Sequence, residues 1–97
     1  MFLPNAFSPN ADGLNDTYTP LAYDVDSYEM LIYNRWGEKV YQGDHHSPGW
    51  DGTYMGKPCP QGVYVVLVSY TYPYRGRPRT LTERTSLTLL NGVLKED

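Results

Sequence analysis

GVYVVLVSYTY, residues 62–72, is the stretch that decides the fold of this chain. Side chains of an extended backbone alternate between two faces, so Tyr64, Val66, Val68, Tyr70 and Tyr72 share one side. Val63, Val65 and Leu67 share the other, where Ser69 and Thr71 mark the wetter end. β-branched and aromatic residues fill the run, and no Gly or Pro interrupts it after its first residue, which reads as a long strand. PYRGRP, residues 73–78, then turns the chain, and TLTERTSLTLL, residues 80–90, returns with Leu81, Leu87 and Leu89 on one face. Thr82, Arg84, Ser86 and Thr88 take the opposite face, so the two runs form the longest hairpin.

The same period appears upstream in SYEMLIYNRWGEKVYQG, residues 27–43. Tyr28, Met30 and Ile32 form the expected core face, and Ser27, Glu29, Leu31 and Tyr33 the other. NRWG reads as a type I turn in which Asn34 accepts from the backbone and Gly37 supplies the positive φ of a bulged hairpin. Between the hairpins, GDHHSPGWDGTYMGKPCPQG (residues 43–62) is too rich in Gly and Pro for a regular element, and Trp50 and Tyr54 are its expected plugs. Adding strands near residues 2–7 and 16–21 and a short one at Trp50 gives six or seven, spaced as in a two-sheet sandwich. No window keeps an apolar helical period, so the expected fold is all-β: an Ig-like β-sandwich of about seven mostly antiparallel strands.

The 97 residues fit one small domain, residues 1–97, with no room for a second core. Ten tyrosines and two tryptophans suit such a core, since each ring buries a large area while keeping a polar edge. Cys59 is the only cysteine, which excludes an internal disulfide and any multi-thiolate metal site. The sequence contains no secretory leader pattern and no apolar stretch of bilayer length, so direct membrane insertion is not expected. Met1 directly before FLPNAF reads as the start of a piece of a longer protein.

The net charge of −3 is unevenly spread: residues 1–51 hold eight acids and two bases, residues 52–97 three acids and six bases. Arg75, Arg77 and Arg79 alternate around the hairpin turn, with Arg84 nearby. The overall acidic balance and the narrow basic cluster argue against nucleic acid as a partner.

SPNADGLND, residues 8–16, raises a metal question. Asn10, Asp12, Asn15 and Asp16 around Gly13 partly match an oxygen-rich calcium loop, making them candidate ligands of a structural Ca2+. Ser8 stands where a leading acid belongs and Thr19 where a closing Glu belongs, so at best four side-chain oxygens are in reach. The competing reading, which the pattern favours, is a turn whose Asn and Asp bond their own backbone while Gly13 takes positive φ. His45 and His46 beside Asp44 have no evident third ligand. There is no nucleophile elbow, phosphate loop or HExxH pattern, so catalytic residues are expected to be absent. Trp36 and Trp50 fit either a sugar-stacking platform or lids on the ends of the sandwich, and packing is the favoured reading.

Taken in order, FSPNADGLND, YNRWGEKVY, GWDGTYMGKPCPQGVYVV and SLTLL closely resemble the type B C-terminal sorting domain of the Bacteroidota type IX secretion system, also called the gliding-motility-associated C-terminal domain. The resemblance runs from about residue 7 to 90, with Gly13, Trp36, Gly37, Trp50, Asp51, Gly52, Gly62 and Tyr64 as its structural positions. Cys59 departs from it by replacing a usual aliphatic residue, and NGVLKED extends beyond the usual end.

The resemblance implies a folded address label without catalytic activity, attached to an upstream cargo in cis. Cargo and label would cross the periplasm and leave through the outer-membrane translocon, helped by a dedicated outer-membrane partner protein, to be secreted or held at the cell surface. Recognition would then use folded surface, not lipid. The candidates are the half-apolar face of Val63, Val65 and Leu67, the Arg75, Arg77 and Arg79 turn with Arg84, and the open edge of the last strand. Of these the final hairpin is favoured, because it combines unpaired backbone with positive charge. The alternative function is a carbohydrate-binding or adhesive surface module.

Overall fold

The computed structural model describes residues 3–8, 17–21 and 25–90. The long apolar run forms β6 (Gly62–Tyr74), which pairs antiparallel along its whole length with β7 (Arg77–Leu89). β2 (Ser27–Tyr33) pairs with the other side of β6, β3 (Lys39–Asp44) lies outside β2, and β1 (Ala6–Phe7) adds a short parallel pair at the end of β7. The resulting sheet has the order β1-β7-β6-β2-β3. β4 (Thr53–Tyr54) and β5 (Lys57–Pro58) form a separate hairpin. All regular structure among the described residues is therefore strand, seven in number and mostly antiparallel, consistent with an Ig-like β-sandwich.

The alternation in the sequence maps directly onto burial. Tyr64, Val66, Val68 and Tyr70 from β6 meet Met30 and Ile32 from β2 and Leu87 and Leu89 from β7 in one core. Against this face sit Tyr18 and Trp50, whose backbones bond each other in both directions, 2.6 and 3.0 Å. Trp50 is only 1% exposed, stacks tilted on Phe7 and Tyr64, and donates its Nε1–H to the Thr53 carbonyl at 3.0 Å. Tyr18 donates its hydroxyl to the Pro4 carbonyl at 2.7 Å, tying the first segment down. Gly49 is required beside this junction: its φ is +106°, and a Cβ there would lie 2.8 Å from the Tyr18 carbonyl oxygen.

The NRWG turn is as read from the sequence. Asn34 Oδ1 accepts from the N–H groups of Trp36 (3.0 Å) and Glu38 (2.9 Å), and Gly37 has φ +85°, while the register shifts farther along the hairpin, between Ile32 and Tyr33. Other expectations change. The strand expected over residues 2–7 contracts to Ala6–Phe7, and those expected near residues 16–21 and at Trp50 appear as the Tyr18–Trp50 bridge. The Gly- and Pro-rich stretch does contain a regular element, because TYMGKP closes the β4–β5 hairpin through Met55 (φ 55°) and Gly56 (φ 82°). Two successive positive φ values define the type I′ turn that suits strand twist. Tyr54 is 37% exposed and plugs nothing; Trp50 alone fills that role. Trp36 is 73% exposed, so it lids no end of the sandwich: Asn34 holds its turn without help from the ring, which projects outward with Arg35 4.5 Å from its centroid.

Met55 has no side-chain reason to occupy the left-handed region, which costs a non-Gly residue about 1–2 kcal/mol and Asn less. Met55→Asn is expected to raise the melting temperature by roughly 4–8 °C per kcal/mol recovered, read by circular dichroism; an unchanged or lower value contradicts the strain.

Candidate partner-recognition surface

β2 follows β6 only as far as the Ser27–Thr71 pair. Beyond it, residues 72–79 continue as a two-stranded arm, and the described residues extend 55 Å along their longest axis. Its tip is again a type I′ turn, with Arg75 at φ 53° and Gly76 at φ 78°. The Arg75 and Arg79 guanidinium carbons lie 5.3 and 5.1 Å from the Tyr74 ring centroid, so two of the four candidate arginines converge on one ring. Each such exposed contact contributes about 0.5–1 kcal/mol. Tyr70, Tyr72 and Tyr74 form a ladder with centroids 6.1 and 6.4 Å apart leading from the core to this tip. Arg77 is exposed opposite Tyr74.

Arg84 does not join them. It stands opposite Leu67, on the other face of the sheet. That face gathers Val63 (53% exposed), Val65 and Leu67, and the β2 pairing adds Leu31 beside Leu67 and Tyr33 beside Val65. Alternation alone puts Leu31 and Tyr33 on the more polar side of their own strand, and only the register shows that they extend the apolar stripe across two strands.

At the end of the stripe, a cavity of about 360 Å³ opens beside Val63, bounded by Trp36, Tyr54, Pro58, Pro60 and Tyr64. Tyr64 donates its hydroxyl to the Pro60 carbonyl at 2.6 Å, and burial pushes its pKa up to about 12. Burial also raises the Cys59 thiol and takes Tyr18 to about 12. Tyr70 is raised chiefly because its hydroxyl donates to the Glu83 carboxylate. A tyrosine whose folded pKa exceeds its unfolded value stabilises the fold fully below the unfolded value, near 10. That stability is lost as pH rises through the folded value. Melting temperature is therefore expected to hold up to about pH 9, where the contribution of the raised Cys59 thiol begins to be lost, and to fall chiefly between about pH 10 and 12, as tyrosinate absorbance appears; a fall that precedes pH 9 contradicts this assignment.

The remaining positions singled out by the sequence fall as follows. Asp51 accepts from Thr53 N–H (3.0 Å) and hydroxyl (2.6 Å), a local turn. Gly52 is buried at φ +84° and its carbonyl accepts from Cys59 N–H at 2.8 Å, while Gly62 opens β6. His45 and His46 stack, 3.9 Å between centroids, in an exposed turn where the Asp44 carboxyl is lowered chiefly by the His46 N–H. No group of three His, Cys, Asp or Glu side chains suited to a metal occurs among the described residues. Asn10, Asp12, Gly13, Asn15 and Asp16 lie outside the described residues.

One comparison bears on identity. The family model CHU_C Type IX secretion signal domain matches residues 1–86, nearly the whole chain. The chain belongs to this family. No curated protein and no solved structure matches it. The signal domain is thus a sorting signal of the type IX secretion system, a family of secretion signals and not an enzyme family. Such a signal implies interaction with that secretion system and a protein secreted or displayed at the cell surface. In the signal domain the family match spans β1 to β6 and most of β7, so the arm and the apolar stripe both fall within it.

Proposed function

We propose that this chain is a non-catalytic, single folded domain that directs an upstream cargo across the outer membrane and stays with it at the cell surface. A dedicated outer-membrane partner of the translocon reads its folded surface. The observation that carries the reading is the family match over residues 1–86; the surface offered is the final hairpin, with Arg75, Arg77, Arg79 and Arg84, next to the stripe of Val63, Val65 and Leu67. The test fuses residues 1–97 behind a signal peptide and a fluorescent reporter in a type IX-competent host. Reporter outside the cell is expected; reporter retained in the periplasm contradicts the proposal.

A structural Ca2+ is not required by this reading. On this reading Asn10, Asp12, Asn15 and Asp16 need hold no ion, so melting curves in calcium and in chelator should coincide. A melting temperature that climbs with calcium concentration would show a bound ion instead.

A second reading is favoured by one observation: Trp36 stands 73% exposed at the mouth of the cavity, an unusual place for a tryptophan without a ligand. A surface carbohydrate-binding module would quench tryptophan fluorescence on titration with polysaccharide, and Trp36→Ala would abolish the response.

A further inference from the structure

We propose that the open edge of β7 receives an extended, acidic segment of the secretion-system partner as an added strand; this rests on the sorting-signal reading above. The hydrogen-bond pattern specifies which groups are on offer. Thr88 N–H donates to Asn5 O (2.9 Å) and Leu90 N–H to Phe7 O (2.8 Å), so at even-numbered positions the backbone of β7 faces away from β6. In an antiparallel ladder that direction alternates strictly. Thr80, Thr82, Arg84 and Ser86 therefore turn their N–H and C=O groups outward, while residues 79, 81, 83, 85 and 87 bond to β6. β1 covers the edge only at Thr88 and Leu89, and no other described strand pairs with it. Pro78, at the same outward parity, sits opposite Pro73 without removing any bond between the two strands.

Charge selects the occupant. β7 carries Arg77, Arg79 and Arg84, with Arg75 in the turn that precedes it, and the hairpin's one acid, Glu83, is already engaged by the Tyr70 hydroxyl. A second copy of this chain would bring four more arginines to the same seam, which opposes self-pairing. An acidic strand of alternating pattern is favoured instead, with carboxylates on the face of Arg84 and apolar residues on the opposite face beside Leu81, which is 45% exposed. Main-chain bonds would supply affinity and the arginines register and on-rate.

The test uses residues 1–97 and a labelled peptide of alternating Glu and Val about ten residues long, followed by fluorescence anisotropy. Saturable binding that weakens with added salt is expected. Thr82→Pro removes one outward N–H and, like Pro78, no bond to β6; it should weaken binding at least about tenfold with little change in melting. Thr82→Ala, which loses only the hydroxyl contact to Ser69 (2.9 Å), should bind normally. The same peptide N-methylated at alternate residues should not bind, an arm that needs no variant to fold. No saturable binding, or equal binding by Thr82→Pro or by the N-methylated peptide, overturns the proposal. In the reporter assay, export of Thr82→Pro at the unsubstituted level defeats strand addition alone, whereas retention of the unsubstituted fusion defeats the sorting-signal reading itself.

Discussion

Trp50→Ala is expected to abolish stable folding at growth temperature. The ring is 1% exposed and touches Phe7 and Tyr64, and its backbone bridges to Tyr18, joining that segment to the loop between the hairpins. Truncating a buried tryptophan costs about 3–5 kcal/mol, and the lost Nε1–H leaves the Thr53 carbonyl without its donor. At roughly 0.05–0.15 kcal/mol per residue, a domain of 97 residues holds about 5–15 kcal/mol in all, so the loss takes a large share of it. The melting temperature should fall by roughly 15–30 °C. Circular dichroism is the appropriate readout: the tryptophan that remains, Trp36, is already 73% exposed, so its emission changes little on unfolding. Trp50→Phe, which keeps a ring but not the donor, should fall by much less. A Trp50→Ala protein that melts like the parent contradicts the assignment of Trp50 as the central plug.

The second large effect is on export, not stability. Reversing Arg75, Arg77 and Arg79 to Glu turns the hairpin tip from a positive to a negative surface and moves the net charge from −3 to about −9. All three side chains are exposed, and the contacts they lose are the two on Tyr74, worth about 0.5–1 kcal/mol each. The melting temperature should therefore drop by no more than a few degrees, while reporter export falls at least about tenfold and the reporter accumulates in the periplasm. Replacing the same residues with Gln should give an intermediate loss. Normal export of the reversed protein would remove the hairpin tip from the recognition surface.

The strands are legible in the sequence because alternation is local. Residues 62–72 and 27–33 announce both their extended form and their core face, and the Asn34 turn follows from residue type alone. The β4–β5 hairpin is hidden because Met55 occupies a turn position where Asn or Gly is the usual signal. Trp36 and Trp50 are alike in composition and opposite in burial; what separates them is that Trp50 bridges to Tyr18, a contact 32 positions away that no local pattern encodes. Of the candidate surface, the arginines and Val63, Val65 and Leu67 can be read directly. Leu31 and Tyr33 cannot be joined to them without the β2–β6 register, and the cavity beside Trp36 depends on segments far apart in the chain. That Arg84 parts company with Arg75 and Arg79 follows from strand parity, a point visible in the sequence once the turn is fixed.

The function proposed above places the sorting information in a folded surface. The most direct measurement compares export of one reporter carrying residues 1–97 with the same reporter carrying residues 62–90, which keep the arginines and β7 but lose β2, Trp50 and the core. Export of the first and periplasmic retention of the second are expected; equal export of the two would put the signal in the unfolded segment and overturn the proposed function.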